Sequence, residues 1–205
     1  MALLADQITP RRRARIDNVV ARRIYGTVGV LDGLYDRGNV SAVLRSTEGL
    51  GFGEVHIIET VEEFKQARRV TQGAEKWLDV VKWDTAGGCV DNLKSRGFQI
   101  VATSLEAAMP LDEVDFARPT ALVFGNERDG VSPAVLAASD ARVILPMGGF
   151  AQSFNISVAA ALMLYHARVR GAEPDLDAAQ QDVLRAEFYR RSVEHHVEII
   201  NRKLS

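Results

Sequence analysis

Asn39, Glu127, Ser153 and Asn155 are the residues of this chain whose types and spacing could do chemistry. Each falls in a loop that follows an apolar, strand-like run: residues 32 to 41, 125 to 130 and 146 to 155. In open parallel sheets ligands bind beyond the carboxyl ends of the strands, so loops of this kind converge on one edge. The third loop is the richest. Val143-Ile144-Leu145 reads as a strand stopped by Pro146, followed by a glycine-rich bend, Met147-Gly148-Gly149-Phe150, and a polar cluster of Gln152, Ser153, Asn155 and Ser157. A helix then runs through Ala159 and Leu164, ends near Gly171 and is followed by Pro174. Polar residues at an apolar helix start are costly unless they cap it or bind something. Two readings stay open here: capping, or a ligand pocket formed by a glycine-rich bend before a helix N-terminus.

A second candidate chemistry is phosphate contact. Residues 10 to 23, PRRRARIDNVVARR, carry Arg11, Arg12, Arg13, Arg15, Arg22 and Arg23 against one aspartate. Ile16, Val19, Val20 and Ile24 recur at helical spacing, which predicts an amphipathic helix with the arginines on its other side. That face is either simply solvated or grips phosphates through paired donors. Other chemistries find less support. His56 lies inside a strand, His166 in the last turns of an apolar helix, and His195 and His196 are adjacent in the tail, so none has metal-ligand spacing. No nucleophile elbow or P-loop is present. Residues 30 to 38, VLDGLYDRG, hold only Gly33 and Gly38, the wrong spacing for a dinucleotide-binding turn. Trp77 and Trp83 read as core or interface aromatics.

The elements that must position these residues alternate. Thr27 to Leu31, Glu54 to Glu59, Asp79 to Trp83, Gln99 to Thr103, Thr120 to Phe124 and Ala141 to Leu145 read as strands. Between them come helices over Ser41 to Leu50, with Ser41 as cap, and Asp91 to Arg96. A further helix starts at Ser132-Pro133 with serine as cap, and 60 to 78 reads as a partly helical connection. This alternation predicts an α/β fold with a mostly parallel sheet covered by helices on both faces. The expected organisation is a basic helix over 1–26, the α/β domain over 27–171 and a helical extension over 172–205.

With 205 residues the chain can bury a full core. Hydrophobic content of 47% without any membrane-length apolar run argues for a soluble protein with no membrane partner. Cys89 is the one cysteine, which excludes an intrachain disulfide and a cysteine-rich zinc site and fits a reducing cytoplasm; no signal peptide is expected. The net charge of -2 means that any nucleic-acid surface has to come from local clustering.

Three segments together resemble the SpoU/TrmH family of RNA ribose 2′-O-methyltransferases, within the SPOUT superfamily. They are NVSAVLRST from Asn39, LVFGNERDGVS from Leu122, and LPMGGFAQSFNISVAA from Leu145. Their order and spacing are specific, and the match covers roughly residues 12 to 172. The stretch ARIDNVVARR and Glu75-Lys76-Trp77 resemble the tRNA-modifying branch. The resemblance implies a SPOUT-type fold with a C-terminal trefoil knot, a homodimer, and S-adenosylmethionine as methyl donor. It also implies a tRNA ribose 2′-hydroxyl as acceptor, in this branch a D-loop guanosine. Ribosomal RNA is the alternative substrate within the family, and a non-catalytic RNA-binding relative is the third reading.

The same resemblance implies roles. Arg45 matches the catalytic arginine, Asn39 a residue supporting its loop, and Glu127, Ser153 and Asn155 the other polar motif positions. Arginine is a poor base because its pKa lies above ~12, so activation of the hydroxyl stands beside orientation or alkoxide stabilisation as its role. Thr103, Gly125, Leu145, Met147 and Phe154 match positions lining the methyl donor. The chain departs from the family pattern at Phe154, where leucine is usual, at Gly149, at Asp129, and over Tyr35 to Gly38.

Overall fold

The computed structural model describes residues 2–34, 36–59, 75–106 and 108–204. Its strands are β1 (Thr27–Asp32), β2 (Glu54–Ile58), β3 (Asp79–Trp83), β4 (Gln99–Thr103), β5 (Met109–Pro110), β6 (Thr120–Gly125) and β7 (Ala141–Ile144). Its helices are α1 (Ala2–Ala5), α2 (Pro10–Val20), α3 (Arg37–Gly49), α4 (Ala86–Ser95), α5 (Pro133–Ala138), α6 (Ile156–Val169), α7 (Ala178–Ser192) and α8 (His196–Leu204).

The seven strands form one sheet in the order β3-β2-β1-β6-β4-β7-β5, and every pair is parallel. β1 and β6 sit at its middle and are buried along their whole length. That is why they read as unbroken apolar runs instead of alternating ones. On one face Val28, Val30, Ile100, Ala102, Ala121 and Val123 pack on Cys89, Val90 and Leu93 of α4 and Val135 of α5. The other face carries α6, which packs on β1, β6 and α3. The expected two-sided parallel sheet is therefore what forms. Because all strands run the same way, Asp32, Thr103, Gly125 and Ile144 end at one edge, with Asp32 paired to Gly125 and Thr103 to Val143.

Local chemistry moves several boundaries. α3 starts at Arg37, not Ser41, because Asp36 caps it by accepting the Asn39 N–H at 2.7 Å. Asn39 thus stands in the first helical turn and not in a loop. Thr85 caps α4, which begins five residues ahead of the expected Asp91. Ser132 holds the cap position of α5, but its side chain makes no capping bond. β7 ends at Ile144, one residue early, and the two-residue β5 is too short to leave a periodic signal. Within the expected connection over 60 to 78, residues 60–74 lie outside the described residues, and Glu75–Trp77 forms a 3-10 turn.

His56 is buried inside β2 and fully partnered. Trp83 Nε1 donates to its Nδ1 at 2.8 Å. Indole N–H can only donate, so the ring proton sits on Nε2 and bonds Glu54 Oε1 at 2.5 Å. Arg96 closes the network with a two-pronged contact to Glu54 at 2.6 and 3.0 Å. Burial pushes the Glu54 carboxyl up, but the bonds from His56 and Arg96 outweigh it and hold it at about 2. A depressed folded pKa adds stability above the unfolded value, and that stability is lost as pH falls through the folded one. Glu54→Gln is therefore expected to lower stability at pH 7 by about 1–2 kcal/mol, since water reaches Arg96 and screens the pair. The gap to the parent should close between about pH 4.5 and about 2, measured by urea unfolding across that range. A gap that stays constant with pH would contradict the ion pair.

Residues 25–173 form one compact unit; residues 2–24 and 174–204 form another. In the latter, α2 packs on α7 and α1 on α7 and α8. Thr9 caps α2 ahead of Pro10, with Ile16 and Val20 buried. α7 opens with a capping box of Asp177 and Gln180, and Arg185 reaches Asp17 of α2 at 2.7 Å.

Candidate functional site

The three sequence motifs meet through side-chain hydrogen bonds. The Asp36 cap fixes Asn39 in the first turn of α3, from which its Nδ2 donates to Glu127 Oε1. Asn155 Nδ2 donates in turn to Asn39 Oδ1 at 3.1 Å. Asn155 also caps α6: its Oδ1 accepts the Ser157 N–H at 2.9 Å and the Ser157 hydroxyl at 2.6 Å. The capping and the site-building readings are thus both true of Asn155, one atom serving each. Glu127 and Asn155 are exposed and Asn39 half-buried, so the cluster faces solvent where a substrate could reach it.

Glu127 rides on a tight loop. Asn126 and Gly130 exchange backbone hydrogen bonds at 3.1 and 3.0 Å, and Asn126 Oδ1 accepts the N–H groups of Arg128 and Asp129 at 2.9 and 2.7 Å. Gly130 has φ +69. Gly125 lets the loop fold back: a Cβ there would lie 1.9 Å from the Gly130 carbonyl carbon.

Beside the cluster is a cavity of about 510 Å³, lined by Thr103, Gly125, Glu127, Leu145, Ser153 and Phe154 with Met163 among its further walls. Four of the five expected donor-lining residues are brought together here; Met147 is not on its wall. The Thr103 hydroxyl bonds the Val123 carbonyl at 3.1 Å and so is used by the sheet. Ser153 makes no hydrogen bond among the described residues. Arg45 is exposed on α3, and among the described residues its side chain forms no hydrogen bond or ion pair. Sequence reasoning missed Asp36, which sets the Asn39 register, and also Ser104, Leu105 and Glu106, which line the cavity just after β4. The rule that ligands gather at strand ends would have found the last three.

The arginine cluster needs a correction. Arg11, Arg12, Arg15 and Arg22 are exposed and Arg13 half-buried, but Arg23 is only 1% exposed, its guanidinium 5.6 Å over the Phe188 ring. Like exposed Arg22 it lies beyond the end of α2, where helical spacing no longer sorts exposed from buried side chains. In the tail, Arg190 and Arg191 are turned onto Glu187 of their own helix. The Arg190 hydrogen bond, helped by Arg191, holds that carboxyl at about 2. Of the tail's other basic residues, Arg202 is exposed and the Lys203 side chain lies outside the described residues. Among the described residues no group of three His, Cys, Asp or Glu is placed to hold a metal, and no helix is long and apolar enough to cross a membrane.

Comparison with known proteins puts this geometry in context. A Borreliella burgdorferi protein described as tRNA (guanosine(18)-2′-O)-methyltransferase is 35% identical over 98% of this chain and 94% of its own. A crystal structure described as the Aquifex aeolicus TrmH/SpoU tRNA modifying enzyme superposes with a TM-score of 0.80 at 32% identity, covering 89% of this chain and 97% of that one. The SpoU methyltransferase AviRb from Streptomyces viridochromogenes, solved with AdoMet, gives a TM-score of 0.62 at 29% identity over 72% of this chain and 58% of its own. The sequence pattern of the SpoU rRNA Methylase family matches residues 27–165, taking in all three motifs and the cavity they border, and the chain belongs to that family.

Proposed function

We propose that the chain transfers a methyl group from S-adenosylmethionine to the 2′-hydroxyl of a ribose in tRNA, the acceptor being a D-loop guanosine. The observation that carries this reading is the hydrogen-bonded set of Glu127, Asn39 and Asn155, drawn from three distant motifs and placed at the rim of one cavity. The similarity over nearly the whole chain to a relative described as a tRNA (guanosine(18)-2′-O)-methyltransferase supports the substrate.

The cavity suits the donor. Its volume of about 510 Å³ accommodates a nucleoside-sized ligand, and its walls mix apolar Leu145, Phe154 and Met163 with the backbone at Gly125, where no side chain intrudes. Thr103, Gly125, Leu145 and Phe154 would hold it. When bound, the donor supplies an electrophilic methyl group on a sulfonium. The chain's own residues do the rest. The Asn39, Glu127 and Asn155 network holds the first turns of α3 and α6 and the 126–130 loop in one arrangement, and Ser153 offers an unspent hydroxyl toward the cavity. Such positioning supplies much of the rate of a two-substrate transfer. Arg45 stabilises the developing negative charge on the ribose oxygen as its proton passes to solvent at this exposed rim, since guanidinium cannot serve as a base near neutral pH.

Arg11, Arg12, Arg13, Arg15 and Arg22 are the proposed phosphate contacts. Affinity for tRNA should fall steeply with salt, and Arg11→Gln with Arg15→Gln should reduce the log–log slope by about 1–2. Filter binding between low and moderate salt measures it, and a flat profile removes the arginines from the interface.

The working unit is proposed to be a homodimer. α6 and its entry expose Phe154, Val158, Leu162, Tyr165 and Val169, from 39 to 57%, at spacings of three or four residues along one side. This apolar stripe starts in the site's own loop, so a second copy covering it would border the cavity. Leu162→Glu with Tyr165→Glu should yield monomers by sedimentation, whereas an unchanged mass would place the interface elsewhere. The trefoil knot belongs to the same proposal, supported by a path in which the chain leaves β6 at mid-sheet, forms β7 beyond β4 and returns to α6 against β1. A cytoplasmic location is in keeping with the single buried Cys89.

The deciding experiment is transfer of labelled methyl from S-adenosylmethionine to purified tRNA and to ribosomal RNA, followed by mapping of the modified nucleotide. Label on a D-loop guanosine is the expected result. Label on ribosomal RNA alone would select the alternative that the family description favours. Label on neither would end the methyltransferase reading.

A further inference from the structure

Asp32 closes β1 with a carboxylate that the chemistry above does not use. It is 2% exposed and stands at the carboxyl edge of the sheet, in register with Gly125. Among the described residues its side chain accepts a single hydrogen bond, from the Ser132 backbone N–H at 2.7 Å. A carboxylate buried for one partner is costly where its strand neighbours Val30 and Leu31 simply fill the core. We propose that Asp32 is a positioning residue: it clamps the return of the 126–131 loop to the sheet and so holds Glu127 against Asn39.

The loop leaves the sheet at Gly125 and runs through buried Val131 and half-buried Ser132 into α5. Its own bonds, the Asn126–Gly130 exchange and the Asn126 side-chain contacts, keep its shape but do not tie it to the strands. The tie is the Asp32 contact, made across 100 residues of sequence. The Ser132 hydroxyl is buried with no hydrogen-bond partner, so the clamp uses the backbone amide and not the side chain. At the far end of the loop Glu127 has its one partner in Asn39 among the described residues. A loop free to shift at Ser132 would carry Glu127 away from α3, loosening the arrangement at the cavity rim.

This inference rests on the methyltransferase reading for its kinetic consequence, but not for its structural one. Two variants remove the clamp from opposite sides. Asp32→Ala deletes the acceptor. Ser132→Pro deletes the donor and sets the ring Cδ against the Asp32 carboxylate, forcing the two apart, at a residue whose φ of -60 proline can adopt. Losing a hydrogen bond to a charged group corresponds to roughly 10- to 100-fold. Single-turnover transfer by Asp32→Ala is expected to fall by about that factor, with tRNA affinity within about twofold of the parent. Asp32→Asn, which keeps an acceptor oxygen, should recover most of the loss. In a Glu127→Ala background Asp32→Ala should cost almost nothing further, because both act through one contact. Additive losses in that double variant would overturn the proposal.

Hydrogen exchange supplies the readout that does not depend on activity. Amides over 126–131 should exchange faster in both Asp32→Ala and Ser132→Pro, while those of β1 and β4 stay protected. Unchanged exchange over 126–131, or loss of protection across the whole sheet, would show that Asp32 is no clamp. If the parent protein transfers no methyl at all, the enzymatic reading fails, and the exchange result still decides the role of Asp32.

Discussion

Arg45→Ala is expected to slow methyl transfer by about 100- to 1,000-fold in single-turnover assays, the usual cost of removing one group that stabilises charge developing in a transition state. Affinity for S-adenosylmethionine should stay within about twofold of the parent, because Arg45 is not among the residues lining the cavity. Stability should hardly change either. Arg45 is exposed and its side chain makes no hydrogen bond or ion pair among the described residues, so its removal leaves no buried partner stranded. That combination separates Arg45 from Asn39, Glu127 and Asn155, whose loss breaks a network that also orders α3 and α6. Arg45→Lys keeps the charge but loses the planar fork, so partial recovery is expected. Full recovery would mean that charge alone suffices. Undiminished transfer by Arg45→Ala would take the residue out of the mechanism, leaving its exposed position on α3 as that of an ordinary surface arginine.

Which residues assemble was legible in the sequence; how they assemble was not. β1 and β6 announce themselves because parallel strands buried on both faces are unbroken apolar runs, and Asn39, Glu127 and Asn155 were placed beside strand ends by the same logic. The sequence could not show that Asn155 divides its amide between capping α6 and holding Asn39, since that depends on a contact spanning 116 residues. Nor could it separate Asp36 from Ser41 as the α3 cap, because both are good caps and only the Asn39 N–H geometry chooses. Arg23 reads like its neighbours yet is buried against Phe188, a partner far along the chain that no periodicity reveals. Asp32 looked like the start of a loop, whereas its meaning comes from Ser132. Apart from the α3 cap, where two local candidates compete, the missing information is a long-range hydrogen bond or ring contact, which local pattern does not encode.

Gly125→Ala is expected to be the most damaging single methyl group that can be added near the site. The new Cβ would lie 1.9 Å from the Gly130 carbonyl carbon, 2.0 Å from the Val131 nitrogen and 2.2 Å from the Gly130 oxygen. All three are backbone atoms, so no side chain can rotate away to relieve the overlap. Either the end of β6 separates from Asp32, or the 126–131 loop lifts and breaks the Asn126–Gly130 exchange. Overpacking a site that cannot yield costs about 2–4 kcal/mol, which for a chain of this size lowers Tm by about 5–15 °C. Because Gly125, Glu127 and Val131 all border the cavity, donor affinity should fall at least tenfold in the same variant, by calorimetry below its Tm. Gly148→Ala is the control. It lies in the glycine-rich bend yet has nothing within 4 Å of an added Cβ, so its stability should shift by less than about 0.5 kcal/mol. Equal behaviour of the two variants would mean that the loop does not approach β6 as closely as the structure has it, and the positions of Glu127 and the cavity wall would have to be redrawn with it.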